Sequence, residues 1–132
     1  MTLEEIRQIL NCQVLTGEEA LSREVTHGCG ADLMSDVLMF IKPDAVLLTG
    51  LTNVQSVRTA DVADVKAIVY VRGKTPEPGA VALAKEKGIV LLLTALPMFE
   101  ACGRLYLRGL RGGSEVGEET GDARPAPLHS AV

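Results

Sequence analysis

Three continuous apolar runs of strand length, over residues 45–48, 67–71 and 89–93, constrain this chain more than any other feature. None alternates apolar with polar residues, so each strand must be covered on both faces. Each run is followed by a stretch carrying helix start signals. Asn53 or Thr52 is placed to cap the first helix, with Val54, Val57 and Val65 turned inward. Thr75 followed by Pro76 opens the second, which ends at Gly88, and Pro97 opens the third, with Phe99, Cys102, Leu105 and Tyr106 on its face. Non-alternating strands separated by helices pair in parallel through right-handed crossovers. The expected fold is α/β, a three-layer α/β/α sandwich around a mostly parallel sheet.

The amino-terminal third adds smaller elements. Thr2 and Glu5 form a capping box ahead of Ile6, Ile9 and Leu10, predicting a first helix. Short strands are expected over residues 12–15 and 24–27, separated by a Thr16-Gly17 turn and a helical turn over 18–22. From Ala31, the spacing of Leu33, Val37, Leu38 and Ile41 predicts a helix that Pro43 stops.

At 132 residues the chain fits one domain. With no Trp, two Tyr and two Phe, its core must be built from Val, Leu, Ile, Ala and Met. Residues 112–132 are rich in Gly, Glu, Pro and Ala, so a single domain over 1–111 and a disordered acidic tail are expected. Glu115, Glu118, Glu119 and Asp122 against Arg124 leave that tail at −3, whereas the body carries 12 basic and 13 acidic residues. No basic stripe with interleaved aromatics is present, which argues against nucleic acid. No apolar run approaches a membrane span, and the first residues lack the pattern of a signal peptide. Cys12, Cys29 and Cys102 are odd in number and show no CxxC spacing, which favours free thiols in a reducing, cytoplasmic setting.

In parallel α/β sheets, ligands bind beyond the carboxyl ends of the strands. Two loops there stand out. Arg72-Gly73-Lys74 sets two cations around a glycine just before a helix start, where backbone N–H groups and the helix dipole favour a phosphate or carboxylate. Thr49-Gly50-Leu51-Thr52-Asn53 offers close backbone approach at Gly50 and neutral hydrogen bonders at Thr49, Thr52 and Asn53. Thr94 opens a third such loop, and Gly28-Cys29-Gly30 a fourth. An ordinary glycine turn and a helix cap explain the same residues without any ligand.

Catalytic patterns are missing. The sequence has no GxxxxGK[ST], GxSxG, HExxH or GxGxxG, and Ser35 and Cys29 have no base tied to them. Asp32 and Asp36, one turn apart on the expected helix, read as solvated or capping carboxylates. No catalytic residue and no dedicated metal site is expected.

The strand-end loops resemble the split motif of the DRTGG domain, which is similar to the non-catalytic N-terminal domain of HPr kinase/phosphorylase. Gly30-Ala31-Asp32-Leu33-Met34-Ser35 resembles the family's early Gly-Ala-Met-Ser stretch. The segment from Leu48 to Asn53 falls where a Gly-Asp-Arg motif belongs, and Val71-Arg72-Gly73-Lys74 where Thr-Gly-Gly belongs, with Pro76 following. Gly50 and Gly73 are kept, but Leu51-Thr52 replaces Asp-Arg and Arg72 replaces the threonine. The chain looks like the stand-alone variant of the family, often encoded near iron-only hydrogenase genes. The resemblance implies an α/β/α fold and a non-catalytic regulatory role. It also implies association with adenine-nucleotide-sensing CBS domains and a place at a dimer interface.

The leading expectation is a regulatory domain that binds a nucleotide or other small anionic ligand through Thr49, Gly50, Thr52, Asn53, Arg72, Gly73, Lys74 and Thr94. Two alternatives stay open. One is a structural homodimerisation or adaptor module. The other is a redox or metal-responsive protein using His27, Cys29 and Cys102, since positions 27 and 29 share a strand face.

Overall fold

The computed structural model describes residues 1–112. Within them the strands are β1 (Gln13–Thr16), β2 (His27–Gly30), β3 (Ala45–Thr49), β4 (Ala67–Tyr70), β5 (Val90–Leu93) and β6 (Arg111–Gly112). They form one sheet in the order β1-β5-β4-β3-β2-β6. Every pair is parallel except β1 with β5. The helices are α1 (Leu3–Leu10), α2 (Met34–Phe40), α3 (Val54–Val62), α4 (Pro78–Lys87) and α5 (Met98–Leu107).

Two cores lie on opposite faces of the sheet, which makes three layers. Val46, Leu48, Val69, Val71, Val90 and Leu92 face α1 and α5, meeting Leu3, Ile6, Leu10, Ala101 and Leu105. Leu47, Ile68, Tyr70 and Leu91 face α2, α3 and α4, meeting Met34, Val37, Val57, Ala60, Ala80 and Ala84. Because β2, β3, β4 and β5 are neighbours in chain order, their right-handed crossovers all fall on one face. The chain then crosses the other face through α5 and returns beside β2 as β6. The α/β expectation holds.

Several boundaries differ from those expected, each for a packing reason. The second short strand lies over His27–Gly30 rather than 24–27, because pairing with β3 outweighs the poor strand propensity of its glycines. The helix expected from Ala31 starts at Met34. Leu33 and Leu38, expected inward, are 62% and 49% exposed, while Met34 and Val37 carry the buried face. The helix expected at Thr75-Pro76 starts at Pro78 with Glu77 as its cap. Pro97 caps α5 from outside, and Phe99, expected on the buried face, is 85% exposed. Gly112, placed with the acidic tail on composition, pairs with Gly28 in β6; the tail expected beyond it lies outside the described residues.

Thr2 and Glu5 do form the capping box. Among the described residues, no helix is long and apolar enough to cross a membrane.

Candidate functional site

The carboxyl ends of β2, β3, β4 and β5 lie along one edge of the sheet. There Gly30, Asp32, Gly50, Arg72, Lys74 and Met98 line an open pocket of about 450 Å³. Three of the eight expected residues, Gly50, Arg72 and Lys74, therefore meet in one place.

Arg72 and Gly73 are the centre of a tight turn. Both have positive φ, +63° and +65°, and the Lys74 N–H donates to the Val71 carbonyl at 3.2 Å. Positive φ at both central positions is the hallmark of a type I′ turn, which favours Gly, Asn or Asp. Arginine there is strained, because its Cβ crowds its own backbone. The turn is held from outside: the Arg72 N–H donates to the Leu96 carbonyl and the Gly73 N–H to the Thr94 carbonyl, both at 2.8 Å. The expected cradle of unpartnered N–H groups at this loop is thus absent. Nor does the α4 dipole aim at it, since α4 begins four residues beyond Lys74. What remains of the anion chemistry is the pair of side-chain cations.

Asp32 is the residue that sequence reasoning set aside. It is not helical; its Oδ1 accepts the Gly50 N–H at 2.7 Å and the Thr49 hydroxyl at 3.0 Å. Thr49 is fully buried, and its Oγ1 accepts the Leu51 N–H at 3.1 Å. Asp32 thereby ties the β2 end to the β3 end and keeps residues 31–33 out of α2. Both bonds fall on Oδ1, so Oδ2 makes no hydrogen bond among the described residues. The pocket has mixed charge, one carboxylate opposite two cations. No signal in the sequence alone tied Asp32 to residues 17 and 18 positions later.

The other expected residues serve the frame. Asn53 caps α3 by accepting the Gln55 N–H at 3.0 Å. The Thr52 carbonyl accepts the Glu77 N–H at 2.9 Å, joining the two loops. Thr94 is buried; its hydroxyl donates to the Leu10 carbonyl at 2.7 Å and accepts the Leu96 N–H at 3.2 Å. Behind the loops, the buried Tyr70 hydroxyl meets Ser56 Oγ at 2.8 Å, and Ser56 Oγ donates to the Asn53 carbonyl.

The His27, Cys29 and Cys102 grouping does not assemble. Cys29 packs with the α2–α4 layer and Cys102 with the α1/α5 layer, so β2 lies between them. Among the described residues, no group of three or more His, Cys, Asp or Glu side chains is placed to hold a metal ion. Burial pushes all three thiols above the ordinary range, Cys12 up to about 12, and Cys102 adds a smaller push to Cys29. Such thiols stay protonated at neutral pH and are poor nucleophiles.

Neither a family model nor a curated protein matches the chain. Among solved structures, it is similar to the CBS and DRTGG domains of the regulatory region of Clostridium perfringens pyrophosphatase, crystallised with its activator, diadenosine tetraphosphate. The superposition has a TM-score of 0.66 at 20% identity and covers 83% of this chain. The fold is DRTGG-like. The chain spans 47% of that structure's length.

Proposed function

We propose that this chain is a non-catalytic regulatory domain of the cytoplasm that binds a small anionic ligand, a nucleotide or another phosphate-bearing metabolite, between Arg72, Lys74 and Gly50. One observation carries the reading. Arg72 is kept in a strained left-handed conformation beside Lys74, at the sheet edge where parallel α/β folds bind ligands. A solvated turn has no use for that strain. The nucleotide activator held by the similar pyrophosphatase regulatory region supports the choice of ligand class.

The test is a thermal-shift panel of nucleotides, diadenosine polyphosphates and phospho-metabolites on the full chain. Binding to the folded state raises stability by mass action, by about 2.7 kcal/mol at a hundredfold excess over Kd. Lys74→Ala is expected to remove the shift and leave the unliganded Tm unchanged. No shift anywhere in the panel would overturn the reading.

A second reading has its own support. Leu33, Leu38, Met39 and Phe40 lie exposed on and beside α2, an apolar surface suited to homodimerisation or to an adaptor role. Light scattering tests the dimer; a monomer at high concentration with no change on Met39→Lys would remove it.

A further inference from the structure

An apolar slot lies on the other side of Gly30 from the charged pocket. It measures about 250 Å³ and is lined by Gly28, Gly30, Leu48, Cys102, Leu105 and Arg111. The glycines of β2 let neighbouring side chains close directly onto the strand beside the slot. A Cβ on Gly28 would stand 3.0 Å from Leu110 Cδ2, and one on Gly30 would stand 2.8 Å from Cys102 Sγ and 3.1 Å from Met98 Sδ. At the rim the Arg111 guanidinium lies over the Tyr106 ring, 4.1 Å from its centroid, and is oriented by a 2.9 Å bond to the Tyr106 carbonyl. Aliphatic walls and a planar cation at the mouth suit a planar ring.

The slot and the charged pocket meet at Gly30, which lines both. The sulfurs of Met98 and Cys102, 3.7 Å apart, crowd the position that a Gly30 Cβ would take. Both are small or flexible groups that re-pack at little cost. The slot alone falls below the roughly 300–1,000 Å³ usual for small-molecule sites; joined to the charged pocket, it falls inside that range.

We propose that the two pockets form one bipartite site, taking ligands with a planar heteroaromatic ring in the Gly28–Gly30 slot and a phosphate chain at Arg72 and Lys74. The inference rests on the anion-binding reading and narrows it to nucleotides. Ring burial then adds affinity that inorganic polyphosphate lacks.

Titration calorimetry with ATP and with inorganic tripolyphosphate separates the two claims. ATP is expected to bind at least about tenfold more tightly, as burial of one ring face predicts. Cys102→Leu, which fills the slot, is expected to erase that difference and leave tripolyphosphate binding unchanged. As a readout independent of any variant, ATP but not tripolyphosphate is expected to shift the backbone amide resonances of Gly28 and Cys102. Equal affinities, or unmoved amides at Gly28 and Cys102, overturn the bipartite site while leaving the anion reading standing. Binding of neither compound overturns both.

Discussion

Arg72 offers the sharpest test, because its backbone and its side chain make opposite predictions. At φ +63° an L-residue carries a steric penalty of about 1–2 kcal/mol that glycine escapes. Glycine gives back about 0.5–1 kcal/mol through the extra freedom of its unfolded chain. Arg72→Gly should therefore be more stable than both the wild type and Arg72→Ala, by about 0.5–1 kcal/mol. Arg72→Ala keeps the strained φ and removes only an exposed side chain, so it should stay within about 0.5 kcal/mol of wild type. With a urea slope of about 2 kcal/mol/M, the Arg72→Gly midpoint should rise by about 0.3–0.5 M at unchanged slope. Both variants should lose tripolyphosphate binding in calorimetry. An Arg72→Gly protein no more stable than Arg72→Ala would refute the strain. A stabilised Arg72→Gly protein that binds like wild type would show that the strain serves no ligand.

Three further outcomes follow from the same geometry. Asp32→Ala removes the acceptor for the Gly50 N–H and the buried Thr49 hydroxyl, and should lower stability in urea melts by about 1–2 kcal/mol; Asp32→Asn keeps an oxygen there and should lose less than half as much. Gly17→Ala should cost about 2–4 kcal/mol, since φ is +84° and the new Cβ would sit 2.7 Å from Val90 Cγ2 and 3.1 Å from its Cα, whereas Gly88→Ala, with φ +70° and open space, should cost about 1–2. Cys12 ionises in the unfolded chain near its ordinary value but in the folded chain only at about 12, so the unfolded state gives up its proton first. Stability should be full below the ordinary thiol range and fall as pH rises towards 12, with the buried Tyr70 adding to the decline; denaturation midpoints across that range should fall less steeply in Cys12→Ala.

Much of the frame was legible because it is local or periodic. Unbroken apolar runs at residues 45–48, 67–71 and 89–93 require cover on both faces, and that alone dictates a parallel sheet between helix layers. The capping box at Thr2 and Glu5 and the cap at Asn53 span three residues or fewer, so they read directly from the chain. The placement of Gly50, Arg72 and Lys74 at one edge followed from strand direction, since every parallel strand delivers its carboxyl end to the same side.

Tertiary contacts decided the rest. Asp32 looked like a helical surface carboxylate until β2 and β3 paired and brought the Gly50 N–H and Thr49 hydroxyl to it. The Arg72 turn looked like a backbone anion cradle until Leu96 and Thr94 supplied carbonyls to its N–H groups. Gly28 and Gly30 looked like a loop until pairing with β3 made them a strand and α5 crossed above, so that Cys102 and Leu110 close onto the two missing side chains beside the slot. Cys29 and Cys102 looked like partners until the sheet came between them. Periodicity reports which face of an element is buried, because burial is a property of each residue against water. It carries no information on which polar groups meet across elements, because a hydrogen bond depends on the relative placement of two segments that only packing fixes. The sheet edge and its two cations were therefore properties of the sequence, while the carboxylate facing them and the slot beside them belong to the fold.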